Sequence, residues 1–224
     1  MNNVNIPKQR SYHHGNLRAA LIKATLRAIA EDGPEGFTLR DVARRAGVSP
    51  AAPYRHFEDK DELLAAVAGE CAERIGMMMD EAVSAESGDA LAKFRASGIA
   101  YVRFVVAHPE HFRALNVPGI AAKMPEEQRS QWETWNAAQR ESLAGAQAAG
   151  VITEFPLDQL CLAATALVHG LGHMIVEGKL GEVDAERAEQ LAIAVTGVLG
   201  VGLIPRAEPI RKTPLDPRRG GRRQ

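Results

Sequence analysis

Between Phe37 and Leu64 the chain reads FTLRDVARRAGVSPAAPYRHFEDKDELL, and apolar residues recur there at helical spacing on either side of a short break. Leu39, Val42, Ala43 and Ala46 fall on one face of a first helix, because residues three and four apart align along a helix. Thr38 stands at the cap position, with Asp41 three residues on, where a capping-box acid answers the hydroxyl. Gly47 supplies the left-handed conformation that stops a helix, Val48 turns toward the core, and Ser49 with Pro50 is placed to restart a second helix over 50–57. Two short helices crossing at a steep angle are the helix-turn-helix geometry, whose second member enters a major groove.

The same periodicity organises the rest of the chain. Leu17, Leu21, Ala24 and Ala28 predict a helix capped by Asn16 and ended at Gly33–Pro34. Leu63, Leu64, Val67, Cys71, Ile75 and Met78 predict a long helix from Lys60 toward Ser84 that leaves the first unit and enters the next. Turn signals divide the remainder into helices over 89–107, 110–116, 125–149, 157–178 and 184–204, with Pro109, Pro125 and Pro156 at or just before helix starts and Gly119, Gly150 and Gly181 in turns. Scarce β-branched runs and frequent alanine favour helices. The expectation is an all-α fold of about nine helices: a mobile lead over 1–15, a three-helix head over 16–62, a helical-bundle body over 63–205 for ligand binding and dimerisation, and a basic, disordered tail over 206–224.

Composition narrows the function. The net charge of −1 speaks against nucleic acid when taken alone, but residues 1–60 carry ten Lys/Arg against six Asp/Glu, residues 61–205 ten against twenty, and residues 206–224 seven against two. A basic head on an acidic body is what one DNA-facing end requires. The two cysteines, Cys71 and Cys161, lie far apart without a CxxC spacing, which excludes a disulfide framework and suits the cytoplasm. Lys8 and Arg10 precede no apolar run of a secretory signal, and the greasy stretch 191–204 is shorter than a membrane span requires.

On the second helix the outward residues Pro50, Ala51 and Ala52 are small enough to approach base edges, while Tyr54, Arg55, His56 and Lys60 offer donors suited to phosphate oxygens. Gly47-Val48-Ser49, then Tyr54-Arg55-His56-Phe57, Lys60 and Leu63-Leu64, resemble the TetR family of bacterial transcriptional regulators over roughly residues 16–64. Pro53 stands where the family more often has an aliphatic residue, and a proline biases Ala52 away from helical angles. The resemblance implies base contacts from Arg40 and from Pro50, Ala51, Ala52 and Arg55. It implies phosphate contacts from Thr38, Ser49, Tyr54, His56 and Lys60, and phosphate or minor-groove contact near His13, His14 and Arg18. It also implies a homodimer, joined through the last two long helices, that reads a palindromic operator as a repressor and is released by a small inducer. Further on, His169-Gly170 resembles the signature of a body subgroup named for Trp, His and Gly, with Thr165 at the tryptophan position.

Phe94, Tyr101, Phe104, Trp132, Trp135, His169 and His173 are the candidates for lining a cavity that takes an apolar or aromatic molecule, although aromatic residues fill cores as readily as pockets. His169 and His173 are four apart, and His108 and His111 three apart around a proline, but neither pair completes a metal set and no glutamate follows His169 as in HExxH. No metal, cofactor or catalytic residue is expected: no nucleophile–base arrangement or phosphate loop is discernible. Two rival readings stay open, a DNA-binding factor without an inducer, partner-controlled or architectural, and a helical enzyme or metal sensor carrying a DNA-binding head.

Overall fold

The computed structural model describes residues 14–203. Residues 1–13 of the expected lead over 1–15, residues 204–224 with the expected tail over 206–224, and the readings attached to them lie outside those residues. The described residues form eight α-helices and two 3₁₀ turns, with no strand among them. In order these are α1 (His14–Asp32), α2 (Leu39–Ala46), a 3₁₀ turn (Pro53–Arg55), α3 (Lys60–Ala85), α4 (Ala90–Ala107), α5 (Pro109–Leu115), a second 3₁₀ turn (Ala121–Lys123), α6 (Glu126–Ala148), α7 (Leu157–Val176) and α8 (Ala185–Leu203). The all-α class holds. The count falls one short of nine because the expected helix over 50–57 is a turn, and Asn16 lies inside α1 rather than at its cap.

Local chemistry explains most boundaries. Asp59, Asp89 and Asp184 accept the Glu62, Ala92 and Arg187 amides at 2.8, 2.9 and 2.8 Å, quenching donors that a helix start leaves orphaned. Pro109 opens α5, and Gly119, Gly150 and Gly181 take left-handed φ of 81, 70 and 74° in the turns assigned to them.

Packing produces three apolar clusters, and α3 belongs to two. Leu63 to Ala68 and Ala72 join Leu21, Ile29, Phe37, Val42 and Phe57 in the head, whereas Cys71, Ile75 and Met79 join Val102, Phe104 and Phe112 in the body. The head cluster also takes in Ala114 of α5 and Ile120 and Met124 from the α5–α6 connection, and Lys123 reaches Asp61 at 2.5 Å. A third cluster, Leu143, Ala146, Ile152, Leu160 and Leu203, closes the far end between α6, α7 and α8.

Helix α4 is the axis of the body, packed against α3, α6, α7 and α8. Close approach is permitted by glycines: a Cβ at Gly98 would meet both Thr196 and Val168 at 3.3 Å, and one at Gly172 would meet Val105 at 3.3 Å and Phe112 at 3.4 Å. Those positions pack within the chain, whereas Gly170 and Gly202 face open space.

Helix α7, of 20 residues with mean hydropathy 1.5 in its most apolar window, is long and apolar enough by length and composition to cross a membrane. It packs on α4 and α8 and leaves Leu162 and Met174 exposed, while α8 leaves Ile193, Val198 and Val201 exposed.

Tyr101 and the half-buried His169 form a polar pair in this body, with the phenol oxygen and Nδ1 2.6 Å apart. Burial pushes the Tyr101 phenol up, keeping it a donor, and burial together with the neighbouring His173 pulls His169 below the ordinary histidine value. Burial also lowers His111, against the opposing pull of Glu110. An unfolded chain, whose histidines titrate near about 6.5, therefore binds protons that the folded one refuses. Stability is expected to be greatest above that pH and to fall as pH drops through it toward the depressed folded values. Thermal melts between neutral pH and mild acid check this, and His169→Gln, which keeps an acceptor for Tyr101, should flatten the decline.

Candidate functional site

The first helix of the head unit forms as its sequence demands. Thr38 Oγ1 accepts the Asp41 amide at 3.2 Å, and Asp41 Oδ2 accepts the Thr38 amide at 3.1 Å and its hydroxyl at 2.7 Å, completing the capping box. Those bonds hold the Asp41 carboxyl below its ordinary value. Gly47, at φ 70° and ψ 31°, ends the helix and returns its amide to Ala43 and Arg44 carbonyls.

The second helix does not form. Pro53 has no amide to give the Ser49 carbonyl, so the segment tightens: Ala52 donates to Ser49 at 2.9 Å and His56 to Pro53 at 2.9 Å, both spans of three residues. Ala52 nonetheless keeps helical angles, φ −63° and ψ −41°, so the proline acts through the missing bond rather than through its neighbour's backbone. The expected groove contact of Ala52 is corrected, since its side chain is buried with Pro53 beneath the turn.

What remains outside is a compact cationic surface. Arg40, Ser49, Pro50, Ala51, Tyr54 and Arg55 are exposed, as is Thr38 at the cap, while His56 and Lys60 are half-buried. Arg44 pairs with Asp41 at 2.9 Å, and Arg45 pairs with Glu31 and, at 2.5 Å, with Asp32, tying α2 to the end of α1. Arg40 and Arg55 have no carboxylate partner among the described residues. Lys60 Nζ donates to the Glu35 carbonyl at 3.1 Å and sits 4.7 Å from the Phe37 ring centre, so its charge is held at the edge of the unit. Arg18 of α1 lies 5.7 Å from the Phe57 ring centre.

Residues 21–67 match the bacterial regulatory proteins of the tetR family, and residues 94–198 match the tetracyclin repressor-like C-terminal domain. The chain belongs to the TetR family. The HTH-type transcriptional regulator BetI of Rhizobium meliloti (strain 1021) is similar, 34% identical over 114 residues, 51% of this chain and 53% of that protein, so the chain spans about half the length of that relative. A protein with unknown function from Rhodococcus sp. RHA1 superposes with TM-score 0.70 and 30% identity over 88% of this chain and 100% of its own. A TetR family transcription regulator from Marinobacter aquaeolei VT8 superposes with TM-score 0.65 and 23% identity over 84% and 96%.

In this TetR chain the body holds a cavity of ≈ 430 Å³ between α4, α6, α7 and α8, with Met79 of α3 at one side, within the size range of small-molecule sites. Of the aromatic candidates, Phe94 and Trp135 line it. Trp132 stacks on Trp135 at 5.6 Å and lines a smaller cleft of ≈ 270 Å³ between α3 and α6. Tyr101, Phe104, His169 and His173 lie elsewhere, in a packed cluster around Phe112, where His173 Nε2 is 3.3 Å from Asn116 Oδ1. The lining residues not anticipated include small and polar ones, Arg95, Ser97, Gly98, Cys161, Ala164, Thr165 and Thr196, beside apolar ones such as Leu91, Leu167 and Leu199. A run of small residues, Ser97-Gly98 on α4 and Ala163 to Thr165 on α7, was the available signal. Thr165 stands where the Trp-His-Gly subgroup carries its tryptophan, a side chain that would occupy part of this space.

Thr38→Ala removes the hydroxyl half of the capping box and is expected to cost about 1 kcal/mol of stability in urea unfolding, with the Asp41 carboxyl returning toward its ordinary value in an NMR titration.

Proposed function

We propose that this TetR-family chain is a cytoplasmic, sequence-specific transcriptional repressor, and that its exposed turn, carrying Arg40 and Arg55 without carboxylate partners, is the surface that meets DNA. That exposure carries the reading: two guanidinium groups stay available on a capped scaffold while Arg44 and Arg45 are spent on internal pairs. Arg40 and Arg55 supply hydrogen bonds to base edges, and Pro50 and Ala51 offer apolar contact such as thymine methyls provide. Thr38, Ser49, Tyr54, His56 and Lys60 take the backbone phosphates. Residues 16–62 read, and residues 63–205 sense and dimerise.

One such turn covers only a few base pairs, so two copies on a palindromic site supply affinity and half-site spacing. The exposed apolar residues Leu162, Met174, Ile193, Val198 and Val201 of α7 and α8 are the matching self-complementary face, which explains the hydropathy of α7 through a partner helix rather than lipid. The cavity favours an inducer over the reading without one: a small apolar or aromatic molecule that binds better in the DNA-free arrangement releases the operator by its difference in affinity. Similarity to regulators favours a DNA-binding regulator over an enzyme, while the ligand atoms of His108, Glu110 and His111, within 4.8 Å of one another, keep a metal-sensing body as the second reading.

Binding sites selected from random duplexes and measured by fluorescence anisotropy test the proposal. Arg40→Ala and Arg55→Ala should each cost about 1–3 kcal/mol and relax preference at one base pair, whereas Lys60→Ala should weaken every duplex alike and lower the salt slope by about one unit. Absence of salt-sensitive affinity for any duplex overturns the reading. Val198→Glu places a charge on the proposed dimer face, and sedimentation should show monomer with operator affinity lost.

A further inference from the structure

We propose that the body cavity selects an anion, specifically a hydrophobic carboxylate whose head pairs with Arg95 and whose tail fills the apolar chamber toward Phe94 and Trp135. The inference rests on the ligand-binding reading above and adds the charge class of the ligand. No aspartate or glutamate lines the cavity, and its two cations differ. Arg140 is neutralised by an ion pair with Asp158, whereas Arg95 has no carboxylate partner among the described residues. The Arg95 Nε is buried and donates to nothing. An unpaired guanidinium nitrogen against apolar walls is costly in the empty protein, and a carboxylate arriving there satisfies it in a bidentate geometry that water-excluded surroundings strengthen.

The position of Arg95 is built by the neighbouring helix. Its side chain lies across Gly197 and Gly200 of α8, where a Cβ would stand 3.7 Å from Nη2 and 3.3 Å from Cδ. Bulkier residues at those positions would push the guanidinium off this track. Ser97 donates to the Phe94 carbonyl at 2.7 Å, Thr196 to the Ala192 carbonyl at 2.7 Å and Asn136 to the Trp132 carbonyl at 2.9 Å, and the other polar lining residues, Gln139 and Thr165, are neutral. Burial raises the Cys161 thiol, which leaves it neutral. Arg95 is therefore the charged group in the chamber without a carboxylate partner among the described residues, and its choice among ligands is by charge.

The test uses the full chain and a matched pair of probes, decanoate and decanol, with binding followed by isothermal calorimetry and by tryptophan fluorescence, since Trp135 lines the cavity. Decanoate should bind more tightly than decanol by on the order of tenfold, the worth of a hydrogen bond to a charged group. Arg95→Gln should erase that preference by weakening decanoate while leaving decanol within about twofold. Circular dichroism checks that the variant folds, and Ala164→Trp, which fills the chamber, should abolish both probes. Decanol binding as tightly as decanoate, or a preference that survives Arg95→Gln, overturns the anionic class while leaving an apolar inducer site in place. Binding of neither probe, with operator affinity intact, overturns the proposal and the cavity as a ligand site together but not the DNA-binding reading.

Discussion

Helix α3 is shared by two cores, and that sharing constrains the whole molecule. Its first turns are buried with the head and its later turns with the body, so no apolar residue along its inner face is free to leave one cluster without disturbing the other. A helix of 26 residues spans about 39 Å at 1.5 Å per residue and transmits tilt rather than absorbing it. The second tie is the α5–α6 connection, which lodges Ile120 and Met124 in the head cluster. Packing of α5 on α1 adds a third tie, so head and body meet through α3, through α5 and through this connection.

The cavity sits within the body. Its walls belong to α4, α6, α7 and α8, and interiors packed at crystal-like density respond to an inserted molecule by moving helices rather than by compressing. Where α4 crosses α7 and α8, Gly98 permits their close approach, a Cβ there meeting Thr196 and Val168 at 3.3 Å. On one side lies the chamber with Arg95; on the other lies the packed cluster of Tyr101, Phe112, His169 and His173. The chamber has volume where small residues, among them Gly98, Ala164 and Gly200, stand beside leucines of α4, α7 and α8.

The head shows how a single residue changes an element without changing its job. Pro53 deletes one hydrogen bond and converts a helix into a turn, yet the turn still rests on the core through Ala52 and Phe57. Because the outward residues are Pro50, Ala51, Tyr54 and Arg55 in either geometry, the exposed chemistry survives the loss of regular structure. Arg45, drawn inward to Glu31 and Asp32, anchors α2 at the angle that presents this face.

The sequence by itself determined the helical class, nearly every helix boundary, the capping box, and the family to which the head belongs. These are local matters of period, cap and turn residue, acting over a few positions. Only the tertiary structure decided which aromatic residues border empty space. Tyr101 and His169, 68 residues apart, satisfy each other across α4 and α7, and no local rule reports a partner at that distance. The cavity arises where several helices each present a small residue, so its position depends on how they cross. The isolation of Arg95 likewise appears only once Arg140 has been claimed by Asp158 and α8 has laid its glycines beneath the guanidinium.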